Sequence, residues 1–351
     1  MLLRTVLLPS SLSLAANDPP DLQALLCGAM LQLLRDMYEN SIILTDESLV
    51  KPALHHAVRN WPPKFRKYGL EILRVLAIRN RFIRVPSQSK DGCQHDVCRA
   101  ALGVVDTYHP DALVKGTACA ACPFSTPEKL SPVEVIDVRE YSLSQFESQR
   151  RQIRSLVLGD GEVSKGDFAK RVLVPVLADA KHVRIVDRHI GRSIDARRVW
   201  ENLPPAVLPS NYKTTLEWLI DLFSTLSRNR DDRTLEVYCG LTIGQPDERA
   251  VAIRALRDFE TEMREKYGAW LSIHVKDETG APKLPHGRYL LTDQISILIE
   301  RGFDLLWSDD DMRRNALNPA RDERRIRDVT VVHCADCGSV EASVRSLKDL
   351  S

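Results

Sequence analysis

The chain has 351 residues, 44% hydrophobic and 28% charged, which suits two packed domains of ordinary size and excludes wholesale disorder. Its 49 basic and 48 acidic residues leave a formal charge of +1, so no global field draws it to nucleic acid or membrane and any basic surface is local. No apolar run reaches the length of a bilayer span, and eight cysteines are too few for a disulfide scaffold, so a reduced, cytoplasmic protein is expected.

Arg4, the run Thr5–Leu8 and a later Ser-Leu-Ala-Ala are ingredients of a secretory signal, but Pro9, Ser10 and Ser11 interrupt them, and Arg4–Leu8 reads as a first strand. Leu22, Leu25, Leu26, Met30, Leu33 and Leu34 fall at helical spacing and predict a helix from Asp21 to Tyr38. Strand Ser41–Leu44, helices Leu49–Asn60 and Arg66–Arg79, strand Arg81–Val85, helix His95–Tyr108 and strand Ala112–Val114 follow, with Val133–Val138 a further strand. Alternating strands and helices favour an α/β domain. A polar helix is expected over Ser142–Leu156, and the glycines of Gly159–Gly166 mark a boundary. Beyond it come helix Asp167–Ala180, strand His182–Ile190, helix Thr214–Ser227, strand Leu235–Thr242 and the charged amphipathic helix Asp247–Tyr267. Strands Trp270–Val275, Tyr289–Thr292, Ile295–Ile299 and Val329–His333 complete the chain, which shows no fixed-period repeat. The expected organisation is a first α/β domain over 1–140, a helical linker over 141–166 and a second α/β domain over 167–351.

Residues 286–293 hold the spacing His-x-Arg-x4-Asp, in which a nucleophile, a cation and a carboxylate fall in compact order. A histidine nitrogen can attack phosphorus, a cation can offset phosphoryl charge, and a carboxylate can fix the histidine tautomer. Residues two apart on a strand share a face, so His286 and Arg288 point the same way, while Asp293 falls at the strand end. The spacing resembles the phospholipase D signature His-x-Lys-x4-Asp, with arginine for lysine. Together with Val183–Ile190 upstream and Ile295–Leu306 downstream, it is similar to the C-terminal phospholipase D-like domain of MIT-domain proteins and its bacterial relatives, over residues 165–335. That resemblance implies His286 as nucleophile, Arg288 on phosphate, Asp293 orienting, and Asp187, His189, Arg301 and Asp304 in the pocket, with no cofactor required.

Only one full motif is present, whereas active members assemble two per site. The resemblance therefore implies a phosphodiesterase-type nuclease completed by a homodimer that pairs two His286 residues or, alternatively, by His189 as a substitute for the missing half-site, with a place in bacterial defence. The alternative is a non-catalytic phosphate, nucleic-acid or lipid head-group binding module, or an assembly subunit. Arginine grips phosphate bidentately but differs from lysine in reach, which favours binding over turnover.

In the first domain, His95–Val105 and then His109–Gly116 resemble the late part of a PIN-type nuclease domain, which gathers carboxylates around divalent metal. Pro9-Ser10 and Thr117 stand where that family has aspartates, Asp96 fits, and Asp46 or Glu47 are further candidates. The expected fold is PIN-like or Rossmann-like. Cys93, Cys98, Cys119 and Cys122 have the makings of a structural Zn site, and Cys334 and Cys337 form a second C-x-x-C pair. The competing reading is buried, reduced thiols that pack as small hydrophobes. Six arginines between Arg313 and Arg327 form either a track for a nucleic-acid backbone or a solvated face.

Overall fold

The computed structural model describes residues 2–46, 48–86, 88–90, 95–116, 132–195, 206–226, 232–334 and 338–350. The protein is of mixed α/β class and divides into two compact units, Leu2–Ile153 and one from Arg154 onward. The division falls inside the segment expected to be a linker.

The first unit runs β1 (Leu3–Leu7), a 3-10 turn (Pro9–Leu12), α1 (Pro20–Asn40), β2 (Ser41–Thr45), α2 (Val50–Arg59), α3 (Pro63–Ile78), β3 (Phe82–Arg84), α4 (Asp96–Tyr108), β4 (Ala112–Lys115), β5 (Glu134–Asp137) and α5 (Gln145–Gln152). Its five strands are parallel in the order β3-β2-β1-β4-β5. α1 packs against α3, and α4 lies against β1, β2 and α2. Local chemistry sets the helix ends. Proline occupies the first position of α1 and α3, where its missing N–H costs nothing. The Asp46 carboxylate accepts the N–H groups of Ser48, Leu49 and Val50 leading into α2. Arg81, 1% exposed, donates to the carbonyls of Tyr38 and Ser41 at 3.1 and 2.8 Å and so satisfies the end of α1.

The second unit runs β6 (Ser155–Leu158), α6 (Lys165–Phe168) continuing through a π turn (Ala169–Leu173) into α7 (Val174–Leu177), β7 (His182–Val186), α8 (Arg188–Arg192), α9 (Ser210–Leu226), β8 (Thr234–Leu241), α10 (Pro246–Tyr267), β9 (Leu271–Asp277), β10 (Tyr289–Thr292), β11 (Ser296–Ile299), α11 (Asp309–Arg314), β12 (Val329–Cys334) and α12 (Gly338–Ser346). Its seven strands form a mixed sheet in the order β6-β12-β11-β10-β7-β8-β9. β7, β8 and β9 are parallel, and β10 returns antiparallel beside β7, with Tyr289 opposite Val186 and Thr292 opposite Val183. Val340, Val344 and Leu347, from α12 and the residue after it, pack with Val186, Leu284 and Leu291.

Two expected elements differ. The helix over 142–156 shortens to α5, and Ser155–Leu158 becomes an edge strand because β12 offers it a ladder. The strand expected to Ile190 stops at Val186, because the Asp187 carboxylate accepts the His189 N–H at 2.8 Å and turns the chain into α8. α12 was not expected. No helix among the described residues is long and apolar enough to cross a membrane.

Candidate functional site

Register brings the motif to one end of the second sheet. Because Tyr289 faces Val186 across the β7–β10 pair, Arg288, Gly287 and His286 run out beside Asp187 and Arg188. His286 is exposed, and its ring lies against the guanidinium of Arg188, with Nη1 3.1 Å from Nδ1 and 3.4 Å from Nε2. Arg188 itself is buried. Its Nε lies 3.5 Å from Oε1 of Glu278, a carboxylate with no exposed side-chain surface, whose Oε2 accepts from Arg192 Nη2 at 2.8 Å. The Leu284 N–H donates to the same carboxylate at 2.9 Å. One buried carboxylate therefore holds two guanidinium groups, one of which faces the motif histidine.

Asp187, fully buried, joins the other half of the pocket. It accepts the N–H of His189 at 2.8 Å and that of Phe303 at 3.0 Å, tying the end of β7 to the turn after β11. Arg288 crosses to the same turn, where Nη1 donates to the Glu300 carbonyl at 2.6 Å. Gly302 lies between them with φ +91°, and a β-carbon there would fall 2.7 Å from Asp187 Oδ2 and 3.1 Å from Arg288 Cγ. Gly302→Ala is accordingly expected to cost about 2–4 kcal/mol, from the left-handed backbone and the displaced carboxylate together. Thermal denaturation checks this, and a loss below about 1 kcal/mol would show that the turn relaxes freely.

The electrostatics follow from burial and close charges. Burial pushes the Asp187 carboxyl up, against the two backbone donors, His189 and Arg288. Burial lowers the His189 imidazole, and Arg288, Arg192 and Arg188 lower it further against the pull of Asp187. The Tyr212 hydroxyl of α9 is pushed up to about 12 by burial and by the charges of Asp187 and Asp304, with Arg288 and Arg301 opposing. His189 and Tyr212 thus sit in the field of the same arginines and carboxylates.

Of the motif residues, Arg288 lies in the field of Asp187 and His189, and His286 meets Arg188. Asp293 does not join them. Its Oδ1 accepts the N–H groups of Lys181 and His182 at 3.0 and 3.3 Å, at the other end of β7, roughly 13 Å of strand away. The orienting role expected of Asp293 is therefore not one its position allows, and Arg188 is the group on the imidazole. Arg301 donates to the Asp304 carbonyl at 3.2 Å and pairs with Asp328, while the Asp304 carboxylate lies 3.7 Å from Arg327. Arg188, Arg192, Glu278 and Tyr212 escaped the sequence reading. The i, i+4 pair Arg188 and Arg192 after a strand-ending Asp was the available signal, whereas nothing local marks Glu278 or Tyr212.

Among its described residues the first unit does not assemble the carboxylates of a PIN-type site, and Glu47 and Thr117 lie outside the described residues. Asp46 is committed to the start of α2, and Asp96, at the first position of α4, pairs with Arg99. Ser10 Oγ accepts the Gly116 N–H at 3.2 Å, where an acidic residue was sought. Cys93, Cys119, Cys122 and Cys337 lie outside the described residues. Cys98 and Cys334 are half-buried, and no metal-holding group of His, Cys, Asp or Glu occurs among the described residues. In the basic stretch, Arg313, Arg314, Arg324 and Arg327 pair with Asp310, Asp311, Asp309 and Asp311 respectively, which neutralises most of the expected track.

A histidine nucleophile needs one nitrogen free and a carboxylate or carbonyl on the other to support the imidazolium. At His286 the neighbouring group is instead the guanidinium of Arg188, a donor that takes up a ring lone pair. The arrangement is better suited to receiving an anion than to forming a phosphohistidine. No protein-family model and no curated protein sequence matches the chain.

Proposed function

We propose that the second unit is a phospholipase D-like domain that binds a phosphate ester at the Arg188–His286 end of β7 and β10 and holds it without cleavage. The observation that carries this reading is the Arg188 guanidinium against an exposed His286 ring. Two parallel crossovers followed by the β10–β11 hairpin support the fold assignment, as do the flanking Asp187–Ile190 and Glu300–Asp304 segments. For the first unit we propose a PIN-like fold without its metal chemistry, supported by the 3-2-1-4-5 parallel order, which a Rossmann-like domain shares.

Calorimetric titration with inositol trisphosphate and with a 5′-phosphorylated dinucleotide tests the binding reading. At least one is expected to bind, and Arg192→Ala with His286→Ala to weaken it about 10- to 100-fold, the worth of one or two charged hydrogen bonds. Absence of binding to either would refute the reading. The second reading is phosphodiester hydrolysis through His286. It is favoured by His189, a second imidazole in the same field of arginines, which would supply the missing half-site within one chain. Product release by the native protein that disappears in His286→Ala would establish it in place of the first.

A further inference from the structure

The first unit carries a concave surface of its own. α2 touches the 3-10 turn that follows β1, as well as α3 and α4, so it lies across the carboxyl ends of the parallel strands. Ligands of open α/β sheets collect at that edge. There Lys51, His55, His56 and Arg59 of α2 line a cavity of about 550 Å³ together with Arg84, the last residue of β3. No carboxylate lines it among the described residues, and none of the three permanent cations is in an ion pair there. The Lys51 ammonium instead lies 5.3 Å from the centre of the Phe82 ring. Burial holds the His55 imidazole below its ordinary value, and Lys51 and Arg59 push it lower, so these groups share one field that no described carboxylate offsets.

Lys51, His55 and Arg59 recur every four residues and share one helix face. From Lys51 to Arg59 that face runs about 12 Å, several times the per-nucleotide rise of a strand and more than one phosphate can bridge. A flat bilayer surface cannot enter a cavity, and one of this volume takes a nucleotide or two rather than a duplex. The Phe82 ring is already covered by Lys51, which leaves the backbone rather than the bases to be gripped.

From these features we infer that the α2–β3 groove binds single-stranded nucleic acid through its phosphate backbone, without reading the bases. The inference uses residues of the first unit only and stands whether or not the second unit binds phosphate. Fluorescence anisotropy of a labelled thymidine oligonucleotide of about 10 nucleotides, with the full chain, tests it. Three permanent cations at about 0.7 per phosphate give a log–log salt slope near −2, so affinity is expected to fall about 20-fold between about 50 and 200 mM salt. The Lys51→Gln, Arg59→Gln, Arg84→Gln triple variant is expected to lose at least about tenfold in affinity and most of that slope. A charge-keeping variant, Lys51→Arg with Arg59→Lys and Arg84→Lys, is expected to retain both. The inference is overturned if the native protein fails to bind at low salt, if the glutamine variant binds as well as the native protein, or if the charge-keeping variant fails equally. Capture of anionic vesicles through these three residues without oligonucleotide binding overturns it as well.

Discussion

Glu278→Ala is expected to cost the second unit about 3–5 kcal/mol, the usual penalty for leaving a buried charge without its partner. At this size that is a fall in melting temperature of roughly 10 °C. Arg188 is 3% exposed and Arg192 half-buried, and both lean on this one carboxylate, which also accepts the Leu284 N–H ahead of the motif. The site should fail with the fold, because Leu284 sits two residues from His286. Gly240 belongs to the same device, since a β-carbon there would overlap the Glu278 carboxylate. Denaturant and thermal melts of Glu278→Ala beside Glu278→Gln, which keeps the shape, check the effect. A loss under about 1 kcal/mol in the alanine variant would mean that water replaces the carboxylate and the pocket is looser than its geometry implies.

Arg150→Ala is expected to cost the first unit a similar 3–5 kcal/mol at neutral pH. Arg150, 4% exposed, lies 3.2 Å from Asp36, 2.8 Å from Glu39 and 2.5 Å from Glu147, and both Asp36 and Glu147 are buried. Removing it strands Asp36 and leaves Glu147 with the exposed Arg151 as its remaining cation. The loss should be pH-dependent. Burial already pushes Asp36 up to about 6, with Arg150 opposing, so the folded state binds this proton more tightly than the unfolded chain. The resulting stabilisation is complete below the ordinary carboxylate range and is lost as pH rises through about 6. The variant, deprived of the opposing cation, should therefore recover stability between pH 7 and 5. Glu147 is buried too, but Arg150 and Arg151 hold it below its ordinary value, so its contribution is lost on stronger acidification. Melts of both proteins at pH 7 and pH 5 test this, and an equal deficit at the two values would contradict it.

Strand and helix positions were largely legible because burial imposes a period. The run at Ser41–Thr45 and the helical spacing at Leu22–Leu34 both recur as elements, within a residue or two at their ends. What escaped depended on partners distant in sequence. Ser155–Leu158 is a strand because β12 pairs with it, and α12 forms over a face supplied by β7 and β10. The stop of β7 at Val186 was encoded locally, in an Asp able to accept the N–H two residues on, but the apolar residues beyond it imitate a continuing strand.

At the site, the sequence by itself determined which chemistry is present, His286 and Arg288 ahead of one strand and Asp187 at the end of its neighbour, but the expected shared strand face is a bend, because β10 begins only at Tyr289. Only the tertiary structure decided who meets whom. Antiparallel pairing of β10 with β7 sends Asp293 to the far end and brings Arg188 to His286. The end of β9 supplies Glu278, and α9 supplies Tyr212. The physical reason is that a charge's role depends on the sign and burial of its spatial neighbours. Here those neighbours come from residues tens of positions away, and spacing along the chain carries no record of them.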